Sequence, residues 1–234
     1  MFKITKLTPQ LILQVESKTY MKQAFCELSI KVIFFCLIRR KSFQTLATGK
    51  IIVITAPSGS GKTTLVKRLL TSCNHLAFSI SACTRQPRAG EVHGKDYYFY
   101  SEDEFKQLIA EDAFIEWEMV YTGKYYGTLK SELQRIWDNG QSPLVDIDVQ
   151  GALAIKSKFP EIARTIFIEA PSIEELRKRL ISRGTETPQT LEERIEKAED
   201  ELKYAPKFEK IIINENLDRA TQELIDVVDE FTTC

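Results

Sequence analysis

Short apolar runs alternate with amphipathic stretches from residue 50 onward. Four of these runs have the length and continuity of buried strands: KIIVIT (50–55), PLVDIDV (143–149), RTIFIEA (164–170) and KIIIN (210–214). Each run precedes a segment with helical spacing, and these segments are 61–72, 150–159, 172–183 and 217–231. Alternating strands and helices predict an α/β fold, with a parallel sheet flanked by helices on both faces.

Two segments interrupt this alternation. Residues 79–128 are rich in Tyr, Arg and Gly, and they predict short strands around a capped helix at SEDEFKQLI (101–109). Residues 184–203, GTETPQTLEERIEKAEDELK, are almost entirely polar. The second segment therefore predicts a solvated, mobile helical flap.

Residues 1–48 stand apart from the pattern, and within them LSIKVIFFCLI (28–38) is strongly apolar with basic neighbours. One interpretation is an apolar contact with a membrane surface or a partner. The other, which we favour, is an accessory element, a disordered start, or an over-long reading frame with Met21 as an internal start. No window approaches the roughly 18–20 apolar residues of a spanning helix. A secretory cleavage pattern is also missing, so we expect neither stable membrane insertion nor export.

Composition narrows the class of partner and the compartment. With 32 basic and 33 acidic residues, the net charge of -1 gives no overall positive field for a nucleic acid. The cysteines are odd in number and form no CxxC pair, which favours a reducing cytoplasm: Cys26, Cys36, Cys73, Cys83 and Cys234. The only histidines, His75 and His93, are expected to be surface or hydrogen-bonded residues rather than zinc ligands.

The stretch ITAPSGSGKTTL (54–65) places small residues directly after a predicted buried strand and before a helix. Such a loop directs backbone N–H groups inward, and the helix N-terminus adds partial positive charge, so the loop predicts a phosphate cradle. Gly59 and Gly61 allow close backbone approach, Lys62 can reach the β- and γ-phosphates, and Thr63 offers a hydroxyl to magnesium. Ala56 replaces the usual first glycine, which we expect to be tolerated if it ends the strand with an ordinary φ.

A second strand supplies the acidic residues that accompany such a loop. VDID places Asp146 and Asp148 in an apolar strand, where carboxylates are costly unless cations or donors meet them. We therefore expect an aspartate to hold Mg²⁺, through water, next to the cradle.

Hydrogen-bond donors are concentrated in residues 79–128: Ser81, Arg85, Arg88, Tyr97, Tyr126 and Thr128. Two arginines three residues apart can grip one phosphate, because each guanidinium matches phosphate oxygens bidentately. Glu116, in the apolar frame FIEWEM, could accept hydrogen bonds from N1–H and the exocyclic amine of guanine. Taken singly, each residue has an ordinary alternative: a solvated arginine, an outward strand carboxylate or a packed tyrosine.

Taken together, the motifs resemble those of guanylate kinase, which transfers phosphate from ATP to GMP. The resemblance rests on SISACTRQPRAGEVHGKDYYF, FIEWEMVYTGKYYGT, DIDVQG and RGTET, in this order after APSGSGKTTL, and it covers about residues 50–231. It implies a P-loop NTPase-type sheet with an inserted mixed α+β GMP-binding region and a helical lid. The implied domain is 49–231, with core segments 49–80, 129–183 and 204–231, a GMP-binding region 81–128 and a lid 184–203.

The resemblance also implies a role for individual residues. The GMP-phosphate clamp falls on Arg85, Arg88, Tyr97 and Tyr126, and the guanine contacts fall on Ser81, Glu116 and Thr128, with Asp148 near the acceptor. The ATP cradle is Ala56, Pro57, Ser58, Gly59, Ser60, Gly61, Lys62 and Thr63, with Asn214 beside the adenine. Flap arginines match Arg183 and Arg194, with Arg179 as a third; catalytic roles fall on Lys62, Arg183, Arg194 and Asp146, and Mg²⁺ falls on Thr63 and Asp146.

Two other functions remain open at this point. Guanylate-kinase-like domains also occur as non-enzymatic scaffolds, although those generally lose parts of the ATP loop, and another nucleoside monophosphate kinase could differ in base specificity. For an enzyme we expect a monomer or homodimer in which the 79–128 and 184–203 segments close over the sheet when both nucleotides are bound.

Overall fold

The computed structural model describes residues 49–182, 184 and 187–232. The predictions for residues 1–48 and for Arg183 lie outside these described residues. Within them, no helix has both the length and the apolar composition needed to cross a membrane.

The central sheet contains five parallel strands in the order β2-β7-β1-β8-β9. Their bounds are β1 Ile51–Thr55, β2 Leu76–Phe78, β7 Ser142–Asp146, β8 Ala163–Glu169 and β9 Lys210–Ile213. Four of them confirm the predicted strands, whereas β2 was not predicted, because three residues are too few to show a periodicity. The predicted strand 143–149 was too long, since Asp148 lies beyond β7 and caps the following helix.

Seven α-helices occur in the described residues: α1 Lys62–Ser72, α2 Glu102–Ala110, α3 Lys130–Asp138, α4 Val149–Lys158, α5 Ile173–Ser182, α6 Pro188–Leu202 and α7 Leu217–Thr232. One face of the central sheet is covered by α1 and α7, which contribute Leu69 and Leu224 to its core. The other face is covered by α3 and α4, through Leu133 and Ile155. The sheet is thus buried on both sides, as its continuous apolar strands predicted.

Residues between β2 and α3 form a second sheet of four strands in the order β4-β3-β6-β5. Their bounds are β3 Ala82–Cys83, β4 Tyr98–Phe99, β5 Phe114–Tyr121 and β6 Lys124–Leu129. The pairs of β6 with β3 and β5 are antiparallel, and β3 pairs with β4 in parallel. Helix α2 begins with the capping box Ser101/Glu104 and packs on this sheet through Phe105, whose ring stacks 4.4 Å from that of Phe114. The predicted mixed α+β insertion is therefore confirmed.

Helix α6 forms the predicted polar flap, but it is not wholly solvated. Ile195 and Ala198 are buried against Leu176 and Leu180 of α5. Two apolar positions three residues apart lie on one side of a helix, so even this highly charged segment has a packing stripe. The prediction of a solvated helix is confirmed, with Ile195 and Ala198 as the two buried positions.

Candidate active site

The loop after β1 has the backbone conformations that an anion cradle needs. Gly59 and Gly61 have φ values of +93° and +87°, a region that L side chains rarely adopt. Ala56 directly follows the end of β1, and the only non-glycine residue with a positive φ in the described part of the chain is Asp112. The hypothesis that Ala56 ends the strand with an ordinary φ is therefore supported.

Asn214 and Arg179 pack beneath this loop. Asn214 follows β9, is buried, and donates from Nδ2 to the Ser60 carbonyl oxygen at 2.8 Å. A Cβ atom on Gly61 would lie 2.3 Å from the same Nδ2 atom, so only glycine lets the amide lie this close. Arg179 donates from Nη2 to the Asn214 carbonyl oxygen at 3.0 Å. Both predicted residues thus support the backbone of the cradle.

Lys62 and Asp146 form an ion pair across the top of the central sheet. Asp146 is the last residue of β7 and pairs in register with Ile54 of β1, so its carboxylate lies beside the loop that follows β1. The two side chains are 23% and 22% exposed, which leaves the pair accessible to a ligand. Thr63, in the first turn of α1, is exposed next to them.

The flap also contacts the loop. Arg194 of α6 donates from Nη1 to the Ser58 hydroxyl at 2.9 Å. An ion pair between Arg177 and Glu192 joins α5 to α6 nearby. Of the three predicted flap arginines, Arg179 and Arg194 therefore contact the cradle or its support, and Arg183 lies outside the described residues.

Three predicted guanine-binding residues lie in one row across the second sheet. Glu116 of β5 is directly opposite Thr128 of β6, and the Thr128 hydroxyl donates to Glu116 Oε1 at 2.6 Å. Ala82 of β3 is opposite Gly127, so Ser81 and Thr128 are the next residues in this antiparallel register. Strand register therefore brings Ser81, Thr128 and Glu116 together from positions far apart in the chain.

The carboxylates around this row repel one another. Burial raises the pKa of Glu116 to about 6; Thr128 partly opposes the effect and the Asp148 charge adds to it. The neighbouring Asp148 carboxylate, with burial, raises the pKa of Glu118 to about 7. Asp148 itself accepts from the Gly151 N–H at 2.8 Å. An open cleft of about 280 Å³ between β5 and α4 is lined in part by Glu116, Glu118 and Gly151.

The predicted phosphate clamp is partly assembled. Arg85 lies over the Tyr97 ring at 4.7 Å, and the rings of Tyr97 and Tyr126 form an edge contact at 6.4 Å. The Arg85 guanidinium also donates to both oxygens of Glu91, at 2.5 and 2.7 Å. The Arg88 backbone N–H donates to the same carboxylate, while its side chain is exposed.

Glu91 and Glu132 are two organising residues that were not predicted. The hydrogen bonds from Arg85 and Arg88 lower the pKa of Glu91 to about 2. Glu91 could have been suspected, since it is the first acidic residue after the two arginines in TRQPRAGE. Glu132 has a fully buried side chain that accepts from the Ile80 N–H at 3.0 Å and the Tyr98 hydroxyl at 2.9 Å, and pairs with Arg135. In the sequence it resembles an ordinary surface residue of a charged helix.

Comparison with known proteins agrees with this geometry. The sequence model of the guanylate kinase family matches residues 48–231. Curated guanylate kinases from Bacteroides fragilis and Caldanaerobacter subterraneus are 50% and 48% identical over 182 and 180 residues. These matches cover 78% and 77% of this chain and 89% and 86% of those proteins.

A solved structure is similar in the same way. The crystal structure of guanylate kinase from Anaplasma phagocytophilum superposes with a TM-score of 0.63 at 31% sequence identity, covering 80% of this chain and 87% of that one. The residues matched by the family model include both the cradle and the second sheet. The chain therefore belongs to the guanylate kinase family.

Proposed function

We propose that this chain is a guanylate kinase that transfers the γ-phosphate of ATP to GMP, giving ADP and GDP, in purine nucleotide metabolism and GMP recycling. The observation that carries the proposal is the segment 146–148, which touches both halves of the site. Asp146 pairs with Lys62 of the cradle, while Asp148 lies beside Glu118 and influences Glu116 on the second sheet. Their Cα atoms are at most about 7 Å apart, so one short segment joins the two halves of the site.

The acceptor needs no general base. A GMP phosphate oxygen is already ionised at neutral pH, so the barrier lies in bringing two anions together and in line. The chain therefore has to position the nucleotides, neutralise their charge and exclude water. Fixed donors do this well, because they need no reorganisation as the transition state forms.

On the donor side, we assign the ATP phosphates to the backbone of residues 56–63 and to the Lys62 ammonium. Lys62 exchanges part of its interaction with Asp146 for the β- and γ-phosphates. Arg194 is assigned to the transferring phosphate, because its contact with Ser58 already brings it to the cradle. Arg179 and Asn214 are assigned to the ATP side, where they support the loop. Arg183 is assigned with Arg194 on the strength of the resemblance.

On the acceptor side, we assign the GMP phosphate to Arg85, Arg88, Tyr97 and Tyr126. Glu91 holds the Arg85 guanidinium over the Tyr97 ring, which restricts the direction of its remaining donors. The guanine is assigned to Ser81, Glu116 and Thr128, with Asp148 close to the acceptor. An ionised Glu116 accepts from N1–H and the exocyclic amine, a pattern that adenine does not offer.

The donor set beside Lys62 suits Mg²⁺. Thr63 offers a hydroxyl oxygen and Asp146 a carboxylate oxygen, and Mg²⁺ prefers oxygen ligands supplemented by water and phosphate. We propose that these two residues hold the ion, Asp146 through water. When bound, Mg²⁺ supplies charge neutralisation at the β- and γ-phosphates.

The domain and its surroundings complete the proposal. Residues 49–231 form the catalytic domain, in which the GMP-binding region 81–128 and the lid 184–203 close over the core when both nucleotides bind. We place the protein in the cytoplasm as a monomer or homodimer, with small nucleotides as its partners. The free thiols of Cys73 and Cys83 support a reducing compartment. Small-angle scattering should show compaction only with both nucleotides, and it reports the oligomeric state in the same experiment.

Activity is tested by ADP release with ATP, Mg²⁺ and each of AMP, GMP, CMP and UMP. We expect turnover with GMP that greatly exceeds turnover with the others, and little hydrolysis of ATP alone. A folded protein that binds ATP but turns over none of the four would favour the scaffold function. Preference for another monophosphate would favour the alternative kinase.

Glu116→Gln separates guanine recognition from phosphate chemistry. The NH2 group of the glutamine amide would face the N1–H and the exocyclic amine of guanine, which are also donors. We therefore expect kcat/KM for GMP to fall about 100-fold or more. ATP affinity, measured by calorimetry on the same protein, should be unchanged. An equal effect on both nucleotides would contradict the assignment of Glu116 to the base.

A further inference from the structure

A cysteine, a histidine and an aspartate converge at the end of α1 opposite the cradle. Cys73 follows the last residue of α1, His75 is two residues further, and Asp229 comes from α7, 156 residues after Cys73. Candidate ligand atoms of the three side chains all lie within 4.8 Å of one another. Helix α1 is about 16 Å long, so this cluster is separate from the nucleotide site.

We propose that Cys73, His75 and Asp229 form a binding site for a zinc-like divalent transition metal, a role that the sequence alone did not favour for His75. A thiolate, an imidazole and a carboxylate are the ligands that Zn²⁺ commonly takes, whereas Mg²⁺ and Ca²⁺ prefer oxygen alone. Three protein ligands leave one tetrahedral position for water. The site would link the end of α1 to α7 and to the start of β2.

Two of the distances between the candidate ligand atoms are close to those in a zinc-bound site. Cys73 Sγ lies 3.9 Å and His75 Nε2 lies 3.4 Å from the same Asp229 oxygen, Oδ1. Bonds of about 2.0–2.3 Å in a tetrahedral zinc site place neighbouring ligand atoms about 3.3–3.7 Å apart. The ligand atoms, all within 4.8 Å of one another, therefore need side-chain adjustments on the order of 1 Å to reach this spacing.

The backbone around the ligands is already fixed. The Leu76 N–H donates to the Cys73 carbonyl at 3.1 Å, and the His75 carbonyl accepts from the Ser142 N–H at 2.8 Å. Cys73 is buried in the core shared by α1 and α7, next to Val228. His75 and Asp229 side chains are 40% and 47% exposed, so a hydrated ion can reach them.

Hydrogen bonds connect these side chains to one another and to Thr232. The Cys73 thiol donates to Asp229, and His75 Nε2 lies 3.1 Å from the Thr232 hydroxyl. That hydroxyl donates its own hydrogen to the Val228 carbonyl, so it accepts from Nε2–H. Metal binding releases the thiol proton to solvent and shifts the imidazole proton to Nδ1, leaving Nε2 free to coordinate.

The test is a titration of the reduced, nucleotide-free full chain with Zn²⁺, and with Co²⁺ as a spectroscopic probe, in excess Mg²⁺. We expect one ion per chain, a raised Tm, and a Co²⁺ spectrum with a thiolate charge-transfer band and tetrahedral d–d bands. Cys73→Ser should abolish that band, and Asp229→Asn should weaken Zn²⁺ binding at least tenfold.

Glu230→Gln is the matched control, because it removes the same charge from the next, exposed residue of α7. It should bind Zn²⁺ like the unmodified chain. Absence of saturable binding would overturn the proposal, as would a Co²⁺ thiolate band that survives Cys73→Ser. If Cys73→Ser does not fold, Asp229→Asn against Glu230→Gln decides alone: equal affinities overturn the site. GMP kinase activity is not a readout, so failure here leaves the proposed function untouched.

Discussion

The two halves of the candidate site are built in different ways. The cradle is eight consecutive residues, 56–63, whose value lies in backbone N–H groups and two glycines of positive φ. The proposed GMP half instead uses side chains from several strands, held by the carboxylates of Glu91 and Glu132. A backbone cradle suits any nucleotide triphosphate, whereas a side-chain network can distinguish one base. Damage to the two halves should therefore have different kinetic signatures.

The largest effect is expected from Lys62→Met in the cradle. The substitution removes a cation from the transferring phosphate and leaves Asp146 without its ion-pair partner. We expect kcat to fall about 10²- to 10³-fold, with KM for GMP changed little. Steady-state kinetics on Lys62→Met and on the exposed control Lys67→Met measure this. A Lys62→Met enzyme within tenfold of normal kcat would remove Lys62 from the catalytic assignment.

The contrast between a local loop and side chains from several strands also explains how much of each half the sequence predicts. The cradle, the strand before it and the helix after it are local, so residues 50–72 alone predict them. The row of Ser81, Thr128 and Glu116 depends on strand register, which no local pattern states; only the family resemblance pointed to those residues together.

The residue roles that the sequence did not predict depend on hydrogen-bond partners that only the structure identifies. Glu132 is a charged residue in polar surroundings, and nothing in the chain marks it as wholly buried. Glu91 follows two arginines, which suggests an ion pair but does not show that its partner is Arg85. Asp148 continues the alternation of VDIDV, so it resembled a strand residue until the helix it caps was seen. The partners of Glu132 are distant in the chain, whereas Glu91 and Asp148 form short-range hydrogen bonds that the pattern of apolar and polar residues does not reveal.

Glu132→Gln tests whether the side-chain network positions the acceptor. Burial raises the pKa of Glu132, but hydrogen bonds from Arg135, Ile80 and Tyr98 outweigh this and lower it, so the side chain is a carboxylate near neutral pH. Ile80 and Tyr98 adjoin Ser81 and Tyr97, two residues assigned to GMP. We expect KM for GMP to rise about tenfold at nearly constant kcat, and the free energy of unfolding to fall by about 1–3 kcal/mol.

Leu133→Ala is the control, because it leaves a cavity at the neighbouring core position of α3 and removes none of the hydrogen bonds that Glu132 accepts from Ile80 and Tyr98. It should lower Tm and leave KM for GMP unchanged when both are measured well below Tm. If both variants have a lower Tm and both keep the KM for GMP of the unmodified chain, Glu132 stabilises the fold and does not position the acceptor.

A smaller effect should appear in the pH dependence of the GMP half. Glu116, with a pKa of about 6, accepts guanine donors only when ionised, and its neighbour Glu118 has a pKa of about 7. We therefore expect kcat/KM for GMP to fall as pH drops from 8 to 6. The stability of the free protein should depend on pH in the opposite direction. Raised carboxyl pKa values mean that the folded state binds protons more tightly than the unfolded state does. The contribution of these groups to the free energy of unfolding therefore decreases as pH rises from about 4.5 through 7.

Glu118→Gln isolates this effect, because it removes one of the repelling charges and should lower the pKa of Glu116. The ratio of its kcat/KM to that of the unmodified chain cancels the titration of the GMP phosphate itself. We expect this ratio to increase as pH falls from 7.5 to 6. A ratio that is constant with pH would show that the two carboxylates do not titrate together in the bound complex.

The smallest effect is expected at Ala56, and it tests the cradle most finely. Because Ala56 directly follows β1 and has no positive φ, its methyl group causes no backbone strain, and Ala56→Gly should change KM for ATP by less than about twofold. The added freedom of glycine in the unfolded chain should lower stability by about 0.5–1 kcal/mol.

Gly61→Ala is the counterpart in the same loop, since φ is +87° and a Cβ would meet Asn214 at 2.3 Å. It should impair ATP binding strongly. Calorimetric ATP affinities of the two variants test whether position 56 needs the conformational freedom of glycine. Tighter ATP binding by Ala56→Gly would contradict the expectation, because it would mean that alanine hinders the conformation in which this position contacts phosphate.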